Sequence, residues 1–290
     1  DEAEQHVVES GVPFDQLHHR ADAGGQQAAE QPQQQAGGVP GENHLHGGPT
    51  GFHRRLWRAA VGENSLTFTR LSCDGEEGYP GNLLVSVRYT FDDECRLGIH
   101  YQALCDQDTV INLTNHSYFN LDGEDSGSVE GQHLQIFADS FAENDAGCLP
   151  TGRIVSLDSE EGAPFDFREP TEIGKRLHEE NIHLKNGSGY DHNYLLKKQP
   201  DGLCARAYSR SSGILLECRT SEPGMQLYTG NFLSTSNIVG KGGKSYADRA
   251  GFCLETQHYP NAMEHPEFPS VVLPAGELYD TTTEYHISLL

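Results

Sequence analysis

Positive charge is scarce in this chain. Its 290 residues carry 20 Lys and Arg against 43 Asp and Glu, a net charge of -23 with histidine neutral. Phosphate backbones and anionic bilayers are bound through basic patches, so neither nucleic acid nor a membrane is expected as a partner. The plain reading of the acidity is a solvated surface that favours solubility. Paired cysteines are lacking as well. Seven occur, at 73, 95, 105, 148, 204, 218 and 253, odd in number, widely spaced and without a C-x-x-C pair. That excludes a disulfide framework and a zinc knuckle and fits a reducing cytosol. No stretch approaches the roughly 18 apolar residues needed to span a bilayer, and the polar N-terminus has no signal-peptide core, so a cytoplasmic location is expected. Without secretion, the glycosylation-type triplets at Asn112, Asn115 and Asn186 carry no weight.

Residues 21–42 contain no aromatic side chain and one aliphatic larger than alanine. They cannot bury enough apolar area to offset the entropy of ordering, so residues 1–42 are read as an atypical, disordered segment. From residue 43 to 290 the pattern changes to short periodic segments punctuated by Gly, Pro, Asp and Asn, read as a single domain. Val85, Val87, Tyr89 and Phe91 alternate with polar residues, as do Leu97, Ile99, Tyr101 and Ala103 beyond the turn Asp92-Asp93-Glu94, which predicts a β-hairpin over 85–103. Leu134, Ile136, Ala138 and Ile214, Leu216, Cys218 repeat the alternation. Helical signal is scarce; "PTEIGKRLHEENIHL" from Pro170, with Ile173 and Leu177 four apart, is one short candidate. The fold expected is all-β, a large antiparallel β-sandwich, with no fixed-period repeat that would suggest a propeller.

Polar groups concentrate in "NHLHGGPTGF" (43–52), "NLTNHSYFNL" (112–121), "GYDHNYLL" (189–196), "GMQLYTGNFL" (224–233) and "GFCLETQHYPNA" (251–262). Each has a plain explanation. His44 and His46 would share a face of an extended chain, but a metal site needs a third ligand and none lies at local spacing. Asp191 before His192 invites a triad, yet no serine or cysteine sits on a nucleophile elbow. Glu255, in an apolar strand, fits a structural salt bridge as well as a catalytic role. A lone His116 fits a packed core ring satisfied by Asn115 and Ser117, and Tyr118, Phe119 and Tyr228 fit packing. Together, however, an imidazole, two carboxylates, an amide and several aromatics are what a neutral sugar site requires. The near absence of Lys and Arg from these stretches argues against phosphorylated sugars.

In these motifs the chain resembles the galactose mutarotase family, the aldose 1-epimerases. "LHGG", "NLTNHSYFNL", "DHNY", "YTGNF" and "GFCLETQ" occur in the family's order and at similar intervals, from about residue 42 onward. The resemblance implies a large β-sandwich and an aldose 1-epimerase acting on unphosphorylated hexoses such as galactose and glucose. It implies that His116 protonates the ring oxygen as general acid and that Glu255 takes the C1 hydroxyl proton as general base. It further implies that His46, Asp191 and Gln226 bind sugar hydroxyls, that no metal or organic cofactor takes part, and that the protein is a monomer or weak dimer. An acyclic intermediate needs room to rotate, so an open groove on one sheet is expected. Family members carry a strand and an Asn-Arg pair before "HGG". Here that region has neither, and Arg20 stands alone, so the sandwich is expected to lack its first strands. A non-catalytic sugar-binding protein on the same fold, and a β-sandwich glycoside hydrolase using Asp191 and Glu255, are the alternatives.

Overall fold

The period-two segments form long antiparallel strands. The structure, a computed structural model, describes residues 45–236, 239–240 and 243–290, which fall within one compact unit. The expected disorder before residue 43, His44 and Arg20 lie outside the described residues. In chain order the strands are β1 (Arg58–Val61), β2 (Ser65–Ser72), β3 (Leu83–Phe91), β4 (Arg96–Cys105), β5 (Thr109–Val110), β6 (Tyr118–Phe119), β7 (His133–Ile136), β8 (Ala138–Asn144) and β9 (Pro150–Ser156). They continue with β10 (Thr171–Glu172), β11 (Asp191–Leu196), β12 (Leu203–Tyr208), β13 (Ile214–Thr220), β14 (Gly224–Tyr228), β15 (Phe252–Gln257), β16 (Val272–Leu273) and β17 (Leu278–Leu289).

A nine-stranded sheet has the order β1-β2-β3-β4-β17-β13-β12-β7-β10, and a six-stranded sheet has the order β6-β15-β14-β11-β8-β9. Strands β5 and β16 form a separate pair. The alternation expected over 85–103 is the β3–β4 hairpin, in register from Leu83 opposite Cys105 to Phe91 opposite Leu97. Its turn is closed by Asp92, whose carboxylate accepts from the backbone N–H groups of Glu94 and Arg96.

Inward side chains of both sheets merge into one core. Ile99, Tyr101, Leu134, Leu216 and Tyr285 from the large sheet pack with Phe141, Tyr194, Met225, Phe252 and Leu254 from the small one. Each such side chain contributes about 1.5–3 kcal/mol relative to exposure, which makes this interface the main source of stability.

The helical segment read from Pro170 is mostly not a helix. Thr171 and Glu172 pair with β7, and Ile173–Lys175 is a single 3-10 turn that buries Ile173. Only α1 (Ile182–Gly187) is α-helical. It begins where Asn181 accepts from the N–H groups of His183 and Leu184, a cap absent earlier in the segment. Edge pairing and burial of Ile173 therefore override the four-residue spacing to Leu177. Among the described residues no helix is long and apolar enough to cross a membrane.

Candidate active site

Register on the six-stranded sheet brings the polar motifs together. Asn193 of β11 stands opposite Gln226 of β14, which stands opposite Glu255 of β15. One step along, Asp191, Tyr228, Cys253 and Tyr118 of β6 form a second row. Residues opposite one another, or two apart in one strand, share a face, so both rows point the same way. Their intervening neighbours His192, Leu227, Phe252 and Leu254 face the core and are buried. Side chains 64 positions apart in sequence, Asp191 and Glu255, thus meet on one surface.

His116 comes to this surface from the segment before β6. That segment is pinned at three points. Asn112 donates to the carbonyl of His258 and accepts from its N–H. The Leu113 N–H donates to the Tyr279 hydroxyl, and Asn115 Oδ1 accepts from the Tyr285 hydroxyl. The ring that results lies with Nε2 3.4 Å from Glu255 Oε1 and Nδ1 3.3 Å from Cys253 Sγ. Tyr118 stacks on it at 4.9 Å between centroids, and Tyr228 meets it edge-on at 5.8 Å. His116 is about one-third exposed while Glu255 is nearly covered, so the pair opens toward solvent from the imidazole side.

His46 completes the other wall, its ring edge-on to His116 at 5.8 Å and to His53 at 6.1 Å. The "HGGPTG" turn that presents it is tight. A Cβ at Gly51 would lie 2.0 Å from the His46 carbonyl oxygen, a backbone contact that cannot yield, so this position requires glycine. On the far side, Gln226 Nε2 donates to Asp191 Oδ1 at 2.7 Å, leaving Gln226 Oε1 buried without a partner. Asn231, after β14, donates to the carbonyls of Gly187 and Tyr190 and holds the backbone just before Asp191.

Burial tunes these groups. Glu255 is pushed well above the ordinary carboxylate range by loss of water, with the nearby Asp191 charge adding to it. His116 is pushed below the ordinary imidazole value by burial and by His46. Ion pairing at 3.4 Å would act in the opposite sense on both groups; desolvation is the larger influence on each. A raised carboxylate is a stronger base and a depressed imidazolium a stronger acid. Asp191 is pushed up to about 6 by burial, against the opposing hydrogen bond from Gln226. His46 is lowered by burial and by His53.

His116, Glu255, His46, Asp191 and Gln226, which the sequence reading singled out, are therefore all brought to one surface. His192 is not: it turns into the core between Phe165 and Phe141, which removes the Asp191–His192 triad. Of the aromatics in the His116 motif, Tyr118 stacks on the His116 ring, whereas Phe119 packs on Phe252 and Tyr285. Cys253 and Asn193, which alternation with Glu255 and Asp191 places on the same face, join them there. Donor atoms of His116, Cys253 and Glu255 lie within 4.8 Å of one another.

Comparison with known proteins bears on this geometry. The aldose 1-epimerase family model matches residues 23–286. The galactose mutarotase of Bos taurus is 46% identical over 250 residues, covering 86% of this chain and 70% of its own length. The aldose 1-epimerase of Escherichia coli K12 is 38% identical, covering 84% and 70%. Among solved structures, the aldose epimerase homologue of C. elegans superposes with a TM-score of 0.76 at 31% identity, covering 85% of this chain and 73% of that one. The galactose 1-epimerase of Lactobacillus acidophilus superposes at 0.73 with 27% identity, covering 86% and 71%. The sandwich, the polar face of its smaller sheet and these matches agree: the chain belongs to the aldose 1-epimerase family of isomerases.

Proposed function

We propose that this protein interconverts the α and β anomers of unphosphorylated hexoses, galactose and glucose among them. The observation that carries the reading is the approach of His116 to Glu255, an acid and a base brought together on a sheet face rich in hydroxyl-binding groups. In ring opening, Glu255 takes the proton of the C1 hydroxyl as that oxygen forms the C1=O bond. The C1–O5 electron pair leaves with O5, which receives the Nε2 proton of His116. Rotation about C1–C2 presents the other carbonyl face. On closure O5 attacks C1, returns its proton to His116, and O1 recovers the proton held by Glu255. Protons and charge balance over the cycle, and each group acts once as donor and once as acceptor.

Asp191, Gln226 and His46 then hold sugar hydroxyls, and the unpartnered Gln226 Oε1 has an acceptor lone pair to offer. Tyr118 and Tyr228 offer apolar faces to the pyranose. The site-face residues Asp191, Asn193, Gln226, Tyr228, Cys253 and Glu255 include no Lys or Arg, which supports a neutral substrate over a sugar phosphate. Residues 43–290 act as one domain in this reading, and since one chain supplies the whole cluster, a monomer suffices. All the cysteines are free, which supports a reducing, cytoplasmic setting. Polarimetry of freshly dissolved α-D-galactose or α-D-glucose tests the proposal: rotation should relax faster with protein than in buffer, and an unchanged rate with folded protein would reject it.

A further inference from the structure

Cys253 belongs to the same face as Glu255 but has no part in the proton transfers described above. Its side chain is buried, and its Sγ lies 3.3 Å from Nδ1 of His116, the ring nitrogen turned away from the reaction. The chemistry restricts what can sit there. If Nε2 gives its proton to the ring oxygen, the imidazole must keep a proton on Nδ1, because losing both would leave an imidazolate far too basic to form near neutrality. A proton held on Nδ1 through turnover needs an acceptor. Apart from the ring's own backbone, the atom in place is the Cys253 sulfur.

We propose that the Cys253 sulfur accepts the Nδ1 proton of His116, making Cys253 a positioning residue that leaves Nε2 as the only nitrogen to exchange protons with the sugar. The proposal rests on the reading of His116 as the acid in aldose 1-epimerisation. A thiol suits the task because burial and the nearby Glu255 and Asp191 charges keep it protonated, its ionisation pushed well above the ordinary thiol range. A neutral sulfur is a weak acceptor. It orients the ring without holding the proton so tightly that the imidazolium ceases to be a good acid, as a carboxylate in its place would.

The test joins histidine-selective 15N NMR with kinetics on the full chain. In the wild-type protein at a pH where the ring is neutral, His116 should be the Nδ1–H tautomer. Cys253→Val, which offers no acceptor, should show a mixed or Nε2–H tautomer. Its kcat for mutarotation should fall roughly fivefold to tenfold, with KM within about twofold, the effect of losing one hydrogen bond. Cys253→Ser, whose oxygen can accept the same proton, should recover most of both losses. A neutral wild-type His116 found as Nε2–H, with the thiol as donor, would overturn the proposal, as would a folded Cys253→Val with full kcat. If the valine variant does not fold, the wild-type spectrum and the serine variant decide. Absence of any wild-type mutarotation would reject the epimerase reading itself, whereas the tautomer measurement would still report on the sulfur contact.

Discussion

The two faces of β11, β14 and β15 differ in what their side chains exchange with their surroundings. On the core face, His192, Tyr194, Met225, Leu227, Phe252 and Leu254 are buried among aromatic and aliphatic groups. On the opposite face, Asp191, Asn193, Gln226, Tyr228, Cys253 and Glu255 lie under the loops that carry His46 and His116. Each face holds a histidine whose proton affinity burial depresses. The one beside a carboxylate can gain and lose a proton; the one between phenylalanines stays neutral. These strands serve packing with one set of residues and, in the proposed function, chemistry with the other, and substitutions should separate the two.

The largest effects are expected on the polar face. Glu255→Gln and His116→Ala should each lower the mutarotation rate by about 100- to 10,000-fold, the usual contribution of a general acid or base. Their thermal unfolding should stay close to wild type, which circular dichroism can check. On the core face the pattern should invert. Leu254→Ala, one residue from Glu255, should cost about 2–5 kcal/mol in denaturant unfolding by leaving a cavity, while the protein that remains folded keeps most of its kcat.

A smaller effect should distinguish the two histidines by pH. His192 has its affinity pushed from 6.5 down to about 3 by burial, so in the folded protein it stays neutral where the unfolded chain takes up a proton. Between those values the unfolded state binds more protons, and stability falls as pH is lowered, by at most about 1.4 kcal/mol per pH unit from this group. Below about 3 both states are protonated and no further loss comes from it. His192→Phe should flatten that slope, at the cost of the hydrogen bond that His192 Nδ1 accepts from the Asp191 N–H. A modest effect is expected of Asp191→Asn. It keeps the shape but removes a charged acceptor and should lower kcat/KM by about tenfold, mainly through KM.

The same contrast explains what was legible in the sequence. Alternation exposes which residues of a strand share a face, so β3, β4 and the polar-apolar rhythm around Glu255 could be read directly. It does not show which strands are neighbours. The alignment of Gln226 with Glu255, and of Asp191 with Tyr228 and Cys253, follows from long-range pairing that no local pattern encodes. Family motifs filled that gap for His116, Glu255, His46, Asp191 and Gln226. Cys253 was passed over as an apolar neighbour, although its two-residue offset from Glu255 already put it on the same face. The helix sought after Pro170 failed for a related reason: Ile173 and Leu177 have helical spacing, but an edge pairing with β7 and the lack of a cap before Asn181 decide the backbone.

In the proposed function His116 and Glu255 work as one unit, and a double-mutant cycle read by polarimetry tests that most directly. His116→Ala and Glu255→Gln should each abolish most of the acceleration, and the double variant should be no more than about tenfold slower than either, because ring opening needs the acid and the base together and fails once either is lost. Rate losses that multiply across the double variant, or full mutarotation by either folded single variant, would contradict it.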